Sequence, residues 1–391
     1  MKKIAIITHT DFINRKGEAN AALNRIKHLK QVADYDIDVY NLYFYDGPLV
    51  RLLRKTKKVK KIETINIDGV EIKYLWERFP LIDYVLEKKI GIKAIFENFR
   101  YNKIIEKIGR YDAVSAHSNE SGKLAMKIKE RYGTPYFVTW HGSDIHTKPY
   151  KNSHLLKETV KILENATYNF FVSNALLKAS EYLTTMTKKQ LLYNGVNSEF
   201  HRYDDEKRKS LREKYDVNGK KVVAFVGGIV AIKNTLLLPE IFNSVRKKSH
   251  DKDLCFWIIG DGKQRQQLEQ AIKEHKTECV LWGDQKPEMM PEFMNVIDVL
   301  ILPSKNEGLP LVTVEALSCG ANVVGSNVGG ISEAIGRDNT FDLDDNFIEN
   351  ISNRIVEMLN NMIEQELSDR FNWKKTAEIE NKFYQEELDN I

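Results

Sequence analysis

Short apolar runs alternate with longer amphipathic stretches along almost the whole chain. Residues 4–8, 38–44, 111–116, 135–139, 168–173 and 189–192 read as buried strands, and 19–30, 121–131 and 174–182 as the helices that follow some of them. Residues 62–67 and 70–74 flank Asp68-Gly69, a hairpin signal. Amphipathic patterns at 82–89 and 92–108 predict two more helices.

The alternation restarts further on. Residues 221–225, 254–259, 279–282 and 296–302 predict strands, and 235–246, 347–364 and 371–388 predict helices. Strands alternating with helices build doubly wound parallel sheets, so the expected class is α/β. Two such patterns, with the polar run at 202–210 supporting a boundary between them, suggest two doubly wound domains.

A chain of 391 residues is long enough for two cores, and 42% hydrophobic with 29% charged residues is an ordinary globular composition. No stretch approaches a membrane-spanning length, and the N-terminal apolar run is too short for a signal peptide. Cys255, Cys279 and Cys319 lack metal-ligand spacing and suit a reducing compartment. The expectation is a cytoplasmic protein, at most peripheral to the membrane, and nucleic acid is not an expected partner. The net charge of +4 is small but uneven: from Arg51 to Lys61 there are seven Lys or Arg and no acid. With its neighbouring leucines, segment 49–61 suits either an anionic membrane surface or a solvated loop.

The candidate chemistry gathers in Pro303-Ser-Lys-Asn-Glu-Gly-Leu-Pro-Leu-Val-Thr-Val-Glu-Ala-Leu-Ser-Cys-Gly320. Glu307 falls in the loop after a predicted strand and Glu315 inside the next helix. Two ionised acids there can accept hydrogen bonds from vicinal hydroxyls, although both could equally be solvated. The following Ala321-Asn-Val-Val-Gly-Ser-Asn-Val-Gly-Gly330 reads as a strand and a glycine turn opening another helix, a position suited to a diphosphate.

Glu307-Gly308-Leu309-Pro, Glu315-Ala-Leu, Gly320, Val323-Val-Gly-Ser and Gly329-Gly330-Ile-Ser-Glu333 together resemble the signature of retaining glycosyltransferases of family four, which have the GT-B fold. The resemblance implies two Rossmann-like domains facing across a cleft. It assigns 1–196 with a returning helix at 372–391 to the acceptor side, and 197–371 to the nucleotide sugar. His141, in Trp140-His-Gly-Ser-Asp, resembles the family's active-site histidine, with His117 and His9 as weaker candidates. Lys233 occupies the position of the family's diphosphate-binding lysine, but Gly228 stands where an arginine is usual. Only Lys16-Gly17 remains of a paired-glycine loop, and Arg15, Lys16 or Arg337 could supply the missing charge. Gly260 and Gly283 match loops that border the nucleotide and its base.

The resemblance thus implies transfer of a hexose-type sugar from a nucleotide diphosphate, UDP foremost, to a glycan or lipid-linked glycan, as in polysaccharide biosynthesis. Catalysis would use His141, Glu307 and Lys233, with no separate cofactor. Asp36-Ile-Asp38 and Asp251-Lys-Asp253 lie at the wrong strand ends for a metal site. A nucleotide-sugar epimerase and a non-catalytic partner subunit are the alternatives on the same scaffold.

Overall fold

The computed structural model describes residues 1–13, 17–56, 58–79, 81, 85, 97–249, 253–360 and 362–391. They divide into two compact units. One comprises Met1–Val172, Leu177–Leu192 and Lys374–Ile391; the other comprises Ser173–Leu176 and Tyr193–Trp373. The division falls at 192/193, a little ahead of the expected 196.

In the first unit, β1 (Lys3–Thr8), β2 (Asp36–Asp46), β3 (Thr64–Ile67), β4 (Val70–Phe79), β5 (Ala113–His117), β6 (Tyr136–Trp140), β7 (Tyr168–Phe171) and β8 (Lys189–Leu191) form one sheet. Its order is β3-β4-β2-β1-β5-β6-β7-β8. Every pairing is parallel except the β3–β4 hairpin, whose turn residues Asp68 and Gly69 both take positive φ (51° and 84°), as the two-residue turn demands. All five residues of β5 and of β6 are buried, as expected for strands covered on both faces.

Helices of this unit include α1 (Gly17–Val32), α2 (Pro48–Arg54), α3 (Glu97–Ile108), α4 (Ser118–Tyr132), α5 (Ser143–His146) and α6 (Ser153–Asn165). The helix expected at 82–89 lies, but for Val85, outside the described residues, as does the start of that expected at 92–108. The stretch 48–54, read beforehand only as part of a charge run, is helical. The C-terminal helix (Trp373–Asp389) is held here by polar groups: Arg25 Nε meets Glu380 Oε2 at 2.6 Å, and the Tyr384 hydroxyl donates to Glu380 Oε1 at 2.5 Å and lies 2.8 Å from Ser115 Oγ.

In the second unit, β9 (Lys221–Val226), β10 (Leu254–Ile259), β11 (Val280–Gly283), β12 (Val299–Leu302), β13 (Asn322–Ser326) and β14 (Thr340–Phe341) form a wholly parallel sheet of order β11-β10-β9-β12-β13-β14. The order reverses between β9 and β12, and ligands of open α/β sheets bind at such a switch point, beyond the carboxyl ends of the strands. The core of this unit packs Phe225, Phe242, Phe256 and Ile301 with Ile351 and Ile355 of a helix spanning Phe347–Leu359.

Two expectations fail here. Residues 296–298 are not strand: Val296 closes the helix Met290–Val296, and the Asp298 carboxylate accepts the Val222 N–H at 2.7 Å and Arg212 at 3.3 Å. The apolar run hid this because Val296 and Ile297 are buried in either state. The polar run at 202–210 is not a bare linker either. Helix Asp205–Lys214 occupies it, capped by Asp204, which accepts the Lys207 N–H at 2.8 Å. Its arginines reach backbone carbonyls, Arg208 that of Asn295 and Arg212 that of Val296, so its charge serves hydrogen bonds within the second unit.

Candidate functional site

The carboxyl-end loops of the second sheet are joined backbone to backbone. The Gly227 N–H donates to Ile259 O (2.9 Å), Ile229 N–H to Asp261 O (3.0 Å), Gly260 N–H to Gly283 O (2.7 Å) and Lys305 N–H to Ile232 O (2.8 Å). Three glycines make such closeness feasible. Gly260 (φ 130°) lies so near the Gly227 carbonyl that a Cβ would stand 2.0 Å from its oxygen. At Gly329 (φ 52°) a Cβ would stand 1.8 Å from Glu307 O, and Gly330 presses likewise on Gly308 O. The glycine turn after β13 is therefore seated on the loop after β12.

These contacts set the charged groups of the switch point. Lys233 ends the 3-10 turn Ala231–Lys233 after β9, and Glu307 follows β12. Lys233 Nζ meets Glu307 Oε1 at 2.5 Å, and Ser304 Oγ donates to the same oxygen at 2.7 Å. Ser304 is itself placed by Ser326, whose hydroxyl donates to Ser304 O at the end of β13. Sequence reasoning named Lys233 and Glu307 but passed over Ser304, although Pro303-Ser304 directly follows the strand.

Glu315 lies in the helix Leu311–Ser318 and is partly buried. Burial, and next the Glu199 carboxylate, push its pKa up to about 7. The Leu309 side chain is buried, so only its backbone is available to a ligand. At Gly228 a Cβ would meet nothing closer than 3.9 Å, so the backbone does not demand glycine. Arg265 Nη1 approaches Gly283, at 3.5 Å from where a Cβ would stand. The helix opened by Gly329-Gly330 spans only Ile331–Ile335, a shorter element than the diphosphate site expected there suggests. Its Glu333 serves structure, accepting the N–H groups of Asn174 (2.8 Å) and Ala175 (2.7 Å) and the Tyr193 hydroxyl (2.8 Å).

In the first unit, His117 ends β5 and His141 follows β6. Their rings stack with centroids 5.3 Å apart, and His117 Nδ1 lies 3.1 Å from His141 Nε2, so they share one hydrogen bond. Burial, then the neighbouring Arg25 charge, hold His141 at about 4 against the pull of Asp144. His117 is held well below its ordinary value by burial, His141 and Arg25. Both rings are neutral at pH 7. His117, a weaker candidate by sequence, is thus the direct partner of His141. His9 bonds the Leu42 carbonyl at 2.7 Å instead. Gly17 opens α1 with open space about it, and Arg15 and Lys16 lie outside the described residues. Asp38 is engaged by Lys73 and Tyr111, each at 2.7 Å, while Asp251 lies outside the described residues.

The family model described as glycosyl transferases group 1 matches residues 220–361, which hold Lys233, Glu307, Glu315 and both glycine loops. Most of the second unit is thus similar to the group 1 glycosyltransferases. The uncharacterized glycosyltransferase MJ1178 of Methanocaldococcus jannaschii is 25% identical over 321 residues, covering 77% of this chain and 83% of that one. Among solved structures, sucrose-phosphate synthase from Thermosynechococcus elongatus matches with a TM-score of 0.75 at 15% identity. Anabaena HepE, solved in complex with UDP and glucose, matches with 0.71 at 16%, and each alignment covers 100% of both chains. The fold is GT-B, with two Rossmann-like domains.

Proposed function

We propose that the protein transfers a hexose-type sugar from a UDP-linked donor to a hydroxyl of a glycan or lipid-linked glycan, with retention at the anomeric carbon and without a divalent metal. The observation that carries this reading is the Lys233–Glu307 pair at the switch point of the second sheet, inside the segment that matches group 1 glycosyltransferases. The UDP in the HepE complex supports the choice of nucleotide.

Glu315 would bind the ribose hydroxyls and Glu307 those of the hexose, since carboxylates accept from adjacent hydroxyls. Lys233 and the backbone of Gly228 and Gly329-Gly330 would hold the diphosphate, with Gly260 and Gly283 beside the nucleoside. Arg337 opens a 3-10 turn after β13 and is a candidate for the charge that Gly228 lacks. His141 would serve as a neutral hydrogen-bond partner for the transferred sugar. In the reaction the bond from the anomeric carbon to the diphosphate oxygen breaks, and a bond to the acceptor oxygen forms on the same face. The acceptor proton passes to the departing phosphate oxygen, and the Lys233 ammonium stabilises the charge that develops there.

The test is to incubate the chain with UDP-sugars and glycan acceptors in chelator and assign the product anomer by NMR. A product with the donor's anomeric configuration is expected. An inverted product, or transfer only on addition of a divalent ion, would sink the corresponding part of the reading. Donor consumed without acceptor, giving an epimerised nucleotide sugar, would replace it with the epimerase.

A further inference from the structure

Helix α2 has the opposite of an ordinary surface pattern. Val50 is its buried residue, at 1% exposed, yet Leu49, Leu52 and Leu53 stand 57%, 76% and 54% exposed. Spaced i, i+3, i+4, these leucines share one helical face turned to solvent. Val59, 36% exposed, follows shortly after. Surface leucines are unremarkable singly, but a contiguous set on one short helix marks a binding face.

The charge around this face has one sign. Arg51, Lys58, Lys60 and Lys61 line a hollow of about 350 Å³ together with Tyr45, Val59 and Asp46. Asp46, the acid among those lining residues, accepts from Arg54 at 3.2 Å and Thr56 at 2.8 Å, so its charge is already matched. The Lys61 ammonium rests 4.0 Å from the Tyr45 ring centroid and 2.8 Å from its hydroxyl. The hollow therefore offers several cations and an amphipathic aromatic beside an apolar helix face. Tyr45 and Asp46 end β2, and the parallel strands put the hollow at the same sheet edge as His9, His117 and His141.

We propose that α2, with Lys58, Val59, Lys60 and Lys61, forms a docking surface for an anionic lipid bilayer. The three leucines enter the headgroup boundary, and the hollow takes a lipid phosphate. Charge complementarity selects this occupant: a neutral protein groove would satisfy the leucines but leave the cations unmatched, whereas an anionic bilayer answers both. The inference deepens the proposed lipid-linked acceptor by placing the histidine edge of the first unit near the membrane, but it stands on α2 and not on catalysis.

The test is sedimentation of the full chain with vesicles of phosphatidylcholine alone or with about 30% phosphatidylglycerol. The expected result is at least tenfold stronger binding to the anionic vesicles, weakened by 0.5 M salt. L49S/L52S/L53S and K58E/K60E/K61E, each shown folded by circular dichroism, should each lose at least tenfold. Equal binding to both vesicle types, no binding, or variants that bind like wild type would overturn the proposal. A concentration-dependent dimer in sedimentation velocity that the leucine variant abolishes, with vesicle binding unchanged, would assign the face to a second copy instead. UDP binding, measured in parallel, reports separately on the glycosyltransferase reading.

Discussion

Lys233 and Glu307 are 74 positions apart in sequence, yet Nζ and Oε1 lie 2.5 Å apart at the point where the second sheet reverses its strand order. The Lys305 N–H on Ile232 O draws the two loops together, and Ser304 shares the carboxylate. A lysine and an acid so placed hold each other in position until a ligand takes up their remaining donor and acceptor capacity.

Removing either member should therefore cost more in function than in folding. A charge-assisted hydrogen bond contributes about 1.5–3 kcal/mol, so Lys233→Met and Glu307→Gln should each lower kcat/KM by roughly 10- to 150-fold. The double variant should lose less than the product of the two, because each single change strands its partner. Strictly multiplicative losses would mean that the pair does not act together.

Gly228→Arg should be accepted by the fold, because no atom lies within 3.9 Å of the new Cβ. If Gly228 occupies the usual place of a diphosphate-binding arginine, the variant should bind UDP more tightly, by about tenfold or more for one charge-assisted bond. Gly329→Ala is the contrasting case. Its Cβ would sit 1.8 Å from Glu307 O at positive φ, so a marked fall in Tm is expected. A Gly329→Ala protein as stable as wild type would show that the two loops are not locked together.

Glu315 gives a prediction with a definite sign. Its pKa is raised in the folded chain to about 7, so between roughly 4.5 and 7 the folded state binds more protons than the unfolded one. Its contribution to stability therefore falls as pH rises through that window. Glu315→Gln should have a higher Tm than wild type at pH 8 and a smaller advantage at pH 5, while donor binding weakens. A variant destabilised at pH 8 would point to a structural acid.

His141 titrates in the opposite sense. Held at about 4, it is neutral in the folded chain where the unfolded chain begins to protonate, so its contribution to stability is lost as pH falls from about 6.5 toward 4. NMR of the histidine ring nitrogens should show the His117–His141 pair unprotonated at pH 6. Arg25→Met with Glu380→Gln removes both buried charges together, and should raise the His141 pKa toward its ordinary value. A pair already charged at pH 6 in wild type would remove the neutral role given to His141.

Much of the fold was legible because the strands are short apolar runs and the helices amphipathic. Residues 254–259 were read as a strand and are Leu254–Ile259. Legibility failed where burial carried no period: Val296 and Ile297 are apolar, but the polar Asp298 between them and β12 marks the helix-to-strand turn. It failed also where charge masked structure, as in Asp205–Lys214 and in α2. At the candidate site the motif residues announced themselves, but their partners did not. The His117 hydrogen bond and the Arg25–Glu380 pair join separate segments, which a linear pattern cannot carry, whereas Ser304 lies three residues from Glu307 in the same loop and was within reach of the sequence.

The central claim is that a nucleotide diphosphate is held on the second unit through Lys233. Calorimetric titration of UDP into the wild-type chain and into folded Lys233→Met measures it without knowledge of sugar or acceptor. The account predicts a single site in wild type, weakened at least tenfold by the substitution. No UDP binding in wild type, or equal affinity in both proteins, would contradict it.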